Sequence, residues 1–166
     1  EHQEMAKRSA HVYGRVMIEA VLFDLDQTLL DRKSSLDTFL RDQWEQFSSG
    51  LGKARLDEWL SRFLVLDNQG LVPKSKVYPQ ILAEFGGDPA IRDALLADYC
   101  ARSCEYSRGF PGMETTLVAL RADGMKLGII TNGDTDFQSR NIAALGLNEL
   151  VDEVLISQSE GLRKPD

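Results

Sequence analysis

The residues of this sequence best suited to chemistry are acids, hydroxyls and one lysine, and they fall in three short runs. V-L-F-D-L-D-Q-T carries Asp24, Asp26 and Thr28, G-I-I-T-N-G carries Thr131, Asn132 and Gly133, and G-L-R-K-P-D carries Lys164. Residues two apart in extended chain point the same way, so Asp24 and Asp26 can face one site. At a separation of about 4 Å and an effective dielectric of roughly 20, two ionised carboxylates repel by on the order of 4 kcal/mol. A hard divalent cation offsets that cost. Magnesium takes oxygen ligands, keeps several waters and accepts substrate phosphate, so Mg2+ bound by Asp24 and Asp26 is the expected cofactor. Lys164 can neutralise part of what remains. Each residue taken singly also has an ordinary structural reading: a strand ending in solvated acids, a loop hydroxyl, a surface lysine. Their joint occurrence at three strand ends points to a site.

The rest of the composition removes competing chemistries. Both histidines, His2 and His11, lie in the N-terminal stretch, and Cys100 and Cys104 are the only cysteines. A zinc centre, a Cys-His protease and a Ser-His-Asp hydrolase therefore lack their parts. The two cysteines are four apart in a helical pattern, a poor disulfide geometry, and are expected to be packed, reduced thiols. A net charge of -7 repels phosphate backbones and anionic lipid, which argues against nucleic acid and membrane partners. No apolar run reaches the roughly 20 residues of a membrane span, and the start lacks a signal-peptide pattern. The default expectation is a cytoplasmic protein, monomer or homodimer, whose partner is a small phosphorylated metabolite.

Elements must bring these runs together. Residues 1–16 are polar and aperiodic and are read as a disordered or appended tail. From Ile18 the apolar run into Asp24 and Asp26 reads as a first strand, buried on both faces of a parallel sheet. Residues 34–108 read as helical throughout, with apolar stripes at Leu36, Phe39, Leu40, Trp44 and Phe47; at Leu56, Trp59, Leu60, Phe63 and Leu64; and at Val77, Ile81, Leu82 and Phe85. A fourth helix is expected with Asp88 as N-cap and Pro89 at its first position. A β/α pattern then resumes: helix Met113 to Ala122, strand K-L-G-I-I-T, helix Asp136 to Leu145 ending at Gly146, and a strand from Glu153 to Ile156. The fold class is α/β, a Rossmann-like parallel sheet core from residues 17–33 and 109–166, with an inserted α-helical cap domain at 34–108. In such sheets ligands bind beyond the carboxyl ends of the strands, where all three runs lie.

On these motifs the chain resembles the haloacid dehalogenase superfamily, in the subgroup with a helical cap between the first and second motifs. V-L-F-D-L-D-Q-T-L-L-D is similar to the first motif, G-I-I-T-N-G to the second and G-L-R-K-P-D to the third. The resemblance implies Asp24 as nucleophile, Asp26 as general acid/base, Thr131 as phosphate-binding hydroxyl and Lys164 as the catalytic lysine. Asn132, Gly133 and Thr28 join the substrate-binding set through a loop of free N–H groups and a hydroxyl. Asp26 implies phosphoryl transfer rather than carbon-halogen cleavage, whose enzymes typically lack that second acid. The metal is expected on Asp24 and the main-chain carbonyl of Asp26, completed by acids of a fourth motif that the sequence does not reach. The sheet is accordingly expected to be incomplete at its C-terminal side, and the fragment weakly active or inactive.

The expected function is a magnesium-dependent phosphatase of small phosphorylated metabolites acting through an aspartyl-phosphate, with the helical segment as a lid jointed near residues 31–34 and 108–112. A phosphomutase of the same fold and, for this fragment, a non-catalytic phospho-ligand-binding module are the alternatives. A signalling receiver domain also clusters acids, threonine and lysine, but the long helical insert after the first strand argues against it.

Overall fold

The structure is a computed structural model that describes residues 18–165; the tail expected at 1–16 lies outside the described residues. Three strands, β1 (Ala20–Phe23), β2 (Lys126–Thr131) and β3 (Glu153–Ile156), form a parallel sheet in the order β1-β2-β3. The register sets Phe23 beside Ile129 and Thr131 beside Ile156. All three strands therefore deliver their carboxyl ends to one edge. Helices α5 (Met113–Ala122) and α6 (Thr135–Ala144) connect them. Their Leu117 and Ile142 join Leu25, Leu127, Ile129 and Leu147 in one buried cluster. The parallel α/β architecture is the one expected from the alternation of strand and helix patterns.

Between β1 and β2 the chain runs through α1 (Arg32–Phe47), α2 (Leu56–Asp67), α3 (Lys74–Phe85) and α4 (Arg92–Arg102). A second buried cluster holds these together, with Phe39, Trp59, Phe63, Tyr78, Ile81 and Leu95 among its members. The stripes at Leu36, Phe39 and Leu40 and at Trp59, Leu60 and Phe63 are buried as helical spacing requires. A polar residue sits among them. Gln43 donates to Leu95 O at 3.1 Å and Asp98 Oδ2 at 2.9 Å and accepts from Tyr78 Oη at 2.7 Å, so its burial leaves no amide unpaired.

Chain entry and exit for this helical segment lie side by side. Asp31 N–H donates to Arg108 O at 2.8 Å, Arg108 N–H to Ser35 Oγ at 3.0 Å and Phe110 N–H to Leu29 O at 3.1 Å. Asp31 also caps α1, accepting from Ser34 N–H at 3.0 Å, and hydrogen bonding from the Ser34 side chain and then from this N–H holds its carboxyl below the usual carboxylate range.

Three local expectations need correction. β1 is not buried on both faces: among the described residues it pairs with β2 alone, and Leu22 is 64% exposed. Asp88 caps a short 3-10 turn, Pro89–Ile91, rather than α4 itself; accepting from Ala90 N–H tightens the chain before the α-helix starts at Arg92. The two cysteines do not share one packed face. The α-helix ends at Arg102, so Cys104 lies in the following 3-10 turn and is buried while Cys100 is exposed, both as free thiols.

Candidate active site

β1 ends at Phe23 and the chain runs on through Leu25, which is fully buried and anchors the backbone from which Asp24 and Asp26 project. Gln27 takes a left-handed conformation, φ 61°, and its N–H donates to Leu30 O at 2.8 Å, turning the chain back sharply after the second acid. β2 delivers Thr131, buried at the strand end, followed by Asn132 and Gly133 before Asp134 caps α6 by accepting from Phe137 N–H at 3.0 Å. β3 is followed by the short helix α7 (Ser157–Glu160) and the turn that carries Lys164.

These runs converge. The Lys164 ammonium is ion-paired with Asp24 and donates to Ile130 O at 2.7 Å. Its main chain is pinned by Asn132, whose Oδ1 accepts from Lys164 N–H at 2.9 Å and whose Nδ2 donates to Lys164 O at 3.2 Å. Asp26 lies beside Arg32, with Nε to Oδ1 at 3.9 Å. Asp24, Asp26, Thr131, Asn132, Gly133 and Lys164 all line one cavity of about 510 Å³.

Two members of the expected set behave differently. Thr28 is exposed in the turn after Asp26 and is not among the residues lining that cavity. The Gly133 N–H is not free, because it donates to Ser157 Oγ at 2.9 Å, and Thr135 N–H is likewise taken by Gln158 Oε1 at 2.7 Å. The loop after β2 is thus tied to α7 rather than presenting a bare row of donors.

Gln138 was not legible as a site residue, yet it joins the cluster most tightly. From the second turn of α6 its Nε2 donates to Asp26 Oδ2 at 2.8 Å, Thr131 Oγ1 at 3.0 Å and Asn132 O at 3.1 Å. Its Oε1 accepts from Asn141 Nδ2 at 3.1 Å, and Asn141 Oδ1 accepts from Ser107 Oγ at 2.8 Å. A buried chain of amides therefore runs from the second acid to the end of the helical segment. The signal available in the sequence was a pair of amides, Gln138 and Asn141, at helical spacing on a face that packing would otherwise fill with apolar side chains.

The helical segment closes the other side of the cavity. Arg32 at the start of α1, Gly70 and Leu71 in the loop after α2, Lys74 at the start of α3 and Tyr99 on α4 all line it. Tyr99 stacks on Phe137 of α6 with ring centroids 5.9 Å apart and planes within 8°. Arg140 of α6 donates to Cys100 O and Ala101 O, both at 2.6 Å, which satisfies carbonyls near the end of α4.

As a metal site the donors fit in kind. Asp24 and Asp26 are hard oxygen ligands suited to magnesium, which needs few protein ligands because it keeps its waters. Among the described residues no group of three or more His, Cys, Asp or Glu side chains could hold a metal, and no helix is long and apolar enough to cross a membrane.

Residues 21–166 match the family described as haloacid dehalogenase-like hydrolase. The chain is 29% identical over 161 residues to the glyceraldehyde 3-phosphate phosphatase of Methanocaldococcus jannaschii, covering 90% of this chain and 66% of that protein. It is 25% identical over 154 residues to a phosphoglycolate phosphatase of Cereibacter sphaeroides, covering 88% and 66%. The chain spans just under two thirds of the length of these relatives. A solved HAD-hydrolase of Bacillus subtilis bound to magnesium superimposes with a TM-score of 0.65 at 22% identity, over 90% of this chain and 68% of that one, a likeness of fold.

Proposed function

The chain belongs to the haloacid dehalogenase-like hydrolase family, and from that premise we propose that it is a magnesium-dependent phosphatase of small phosphorylated metabolites, with Asp24 as the nucleophile. The observation that carries this reading is the meeting of Asp24, Asp26, Thr131 and Lys164 on one cavity wall from three separate strand ends. The phosphatase names of the curated relatives support the same substrate class.

In this reading an Asp24 carboxylate oxygen forms a bond to phosphorus as the bond from phosphorus to the ester oxygen breaks, and Asp26 gives its proton to the departing alkoxide. An aspartyl-phosphate on Asp24 results. Asp26, now ionised, takes a proton from a water whose oxygen attacks that phosphorus, releasing inorganic phosphate and restoring Asp24. Lys164 holds Asp24 in place and offers a positive charge to the transferring oxygens, while the Thr131 hydroxyl binds one of them. Gln138 keeps Asp26 and Thr131 in fixed relation. Magnesium would be held by the Asp24 carboxylate and the main-chain carbonyl of Asp26, leaving the Asp26 carboxyl free for proton transfer, and would neutralise charge on the phosphoryl oxygens. The helical segment, residues 34–108, acts as the cap that keeps bulk water and bulky esters out.

The test is hydrolysis of p-nitrophenyl phosphate with magnesium by the wild type and Asp24→Asn. Retained turnover in the variant would overturn the nucleophile assignment.

A further inference from the structure

Arg32 and Lys74 stand on the wall of the same cavity as Asp24 and Lys164, but on the side built by the helical segment. Both are ion-paired with a single buried carboxylate. Arg32 Nη2 donates to Asp67 Oδ2 at 2.9 Å and the Lys74 ammonium lies against Asp67 Oδ1. Two cations against one anion leave one positive charge over. The nearest other acid to Arg32 is Asp26, at 3.9 Å, and that carboxylate is already bonded to Gln138 and committed to the chemistry.

The arrangement is costly. The Lys74 side chain is only 10% exposed, and burial pulls its amine below the ordinary lysine value despite the neighbouring Asp67. Buried ion pairs are weak sources of stability, so a surplus cation held at a cavity wall calls for another role. Its setting is also well defined. The Tyr99 ring lies under the Lys74 ammonium at 5.2 Å, a contact favourable to a cation. Asp67 Oδ2 accepts from Gly70 N–H at 2.9 Å as well, which folds the loop after α2 over the guanidinium. Gly70 has φ +89°, a left-handed conformation that favours glycine, and a Cβ there would sit 3.0 Å from Arg32 Nη2. Arg32 Nη1 has no hydrogen-bond partner among the described residues.

We infer that Arg32 and Lys74 form a subsite for a second anionic group on the substrate, so that the preferred esters carry a carboxylate or a second phosphate besides the phosphate to be transferred. The inference rests on the phosphatase reading of the cavity and narrows its substrate class. A guanidinium and an ammonium sharing one carboxylate suit an incoming oxyanion, a carboxylate bringing the group to two positive and two negative charges and a phosphate supplying at least as much negative charge. A neutral alcohol portion would gain nothing there and would leave the surplus cation unpaired.

The test is calorimetric titration of the whole chain, in the presence of a chelator so that turnover does not intrude. Three probes are used: phosphoglycolate, ethylene glycol bisphosphate and ethyl phosphate. The expected result is that one or both of the probes with a second anionic group, phosphoglycolate and ethylene glycol bisphosphate, bind at least tenfold tighter than ethyl phosphate, the stronger of the two identifying the second group. Lys74→Met is expected to reduce that ratio at least fivefold, and Lys74→Arg to keep most of it. Equal binding of all three by the unmodified chain would overturn the inference, as would a ratio unchanged in Lys74→Met. Failure of the phosphatase reading shows separately, as absence of magnesium-dependent hydrolysis of any of these esters while the binding preference persists.

Discussion

Gln138 Nε2 lies 2.8 Å from Asp26 Oδ2, joining two residues 112 positions apart in the chain. The same nitrogen reaches Thr131 Oγ1 at 3.0 Å, so one amide sets the spacing between the proposed acid/base and the proposed phosphate-binding hydroxyl. Gln138 touches neither substrate nor metal in the proposed mechanism and is a positioning residue.

Gln138→Leu keeps the side chain's bulk but removes the donor. A positioned acid/base contributes roughly 100-fold to 10,000-fold, so partial misplacement is expected to lower kcat by about tenfold. KM for p-nitrophenyl phosphate should change less than kcat. Steady-state kinetics at saturating magnesium check the split.

Gly133→Ala is expected to act through the same contact. A Cβ at Gly133 would come within 2.7 Å of Gln138 Cγ and 3.0 Å of its Nε2. The added methyl group must push the amide away from Asp26. Each single variant lowers kcat, and the double variant with Gln138→Leu is expected to be no worse than the more impaired single one. Additive losses in this double-mutant cycle would show that the two changes work independently.

Asp24→Asn is expected to lower kcat on the order of a thousandfold or more, since no other group described here can form the covalent intermediate. Its far-ultraviolet circular dichroism should match the wild type, because Asp24 is part-exposed and lies at a strand end. Dialysis of the wild type against a chelator should abolish turnover, and added magnesium should restore it.

Phe39→Ala tests the helical segment. Phe39 is fully buried and meets Tyr99 and Tyr106 edge-on, each with centroids 5.6 Å apart. The lost contacts and the cavity left behind are expected to cost about 3–5 kcal/mol, read as a lowered urea midpoint.

Acid dependence of stability can be assigned in part to Glu84. Hydrogen bonds from Arg62 on α2, with Nη2 to Oε1 at 2.7 Å, and from Gln80 lower its pKa from 4.5 to about 2. A depressed carboxylate stabilises the fold above its unfolded pKa, and that contribution fades as the pH falls from about 4.5 towards 2. Glu84→Gln should therefore have a lower urea midpoint than wild type at pH 6, and the difference should shrink across that window. An unchanged difference at pH 2.5 would exclude this assignment. The pair is solvent-exposed, so the effect should also weaken with added salt.

Much of the fold was legible because its signals are local. The run K-L-G-I-I-T became β2 and Met113 to Ala122 became α5 with the expected bounds, since a short apolar run rich in β-branched residues and helical spacing each favour one backbone geometry. Misreadings arose where neighbours decide. Whether Leu22 is covered depends on what packs over β1, and whether Cys104 shares a face with Cys100 depends on where α4 ends. Neither is written in the spacing of the residues themselves.

The candidate site divides in the same way. Asp24 and Asp26, Thr131 and Lys164 could be picked out from the sequence because strand ends of a parallel sheet share an edge, which makes their convergence a consequence of topology. The sequence by itself thus determined the α/β class and the acids, hydroxyl and lysine at that edge. Only the tertiary structure decided which donors are spent and which remain: Ser157 takes the Gly133 N–H, Gln138 spans Asp26 and Thr131, and Arg32 and Lys74 share Asp67. The physical reason is that a side chain's partners are set by three-dimensional packing between elements far apart in the chain, and hydrogen-bond satisfaction and charge balance exist only once those elements have met.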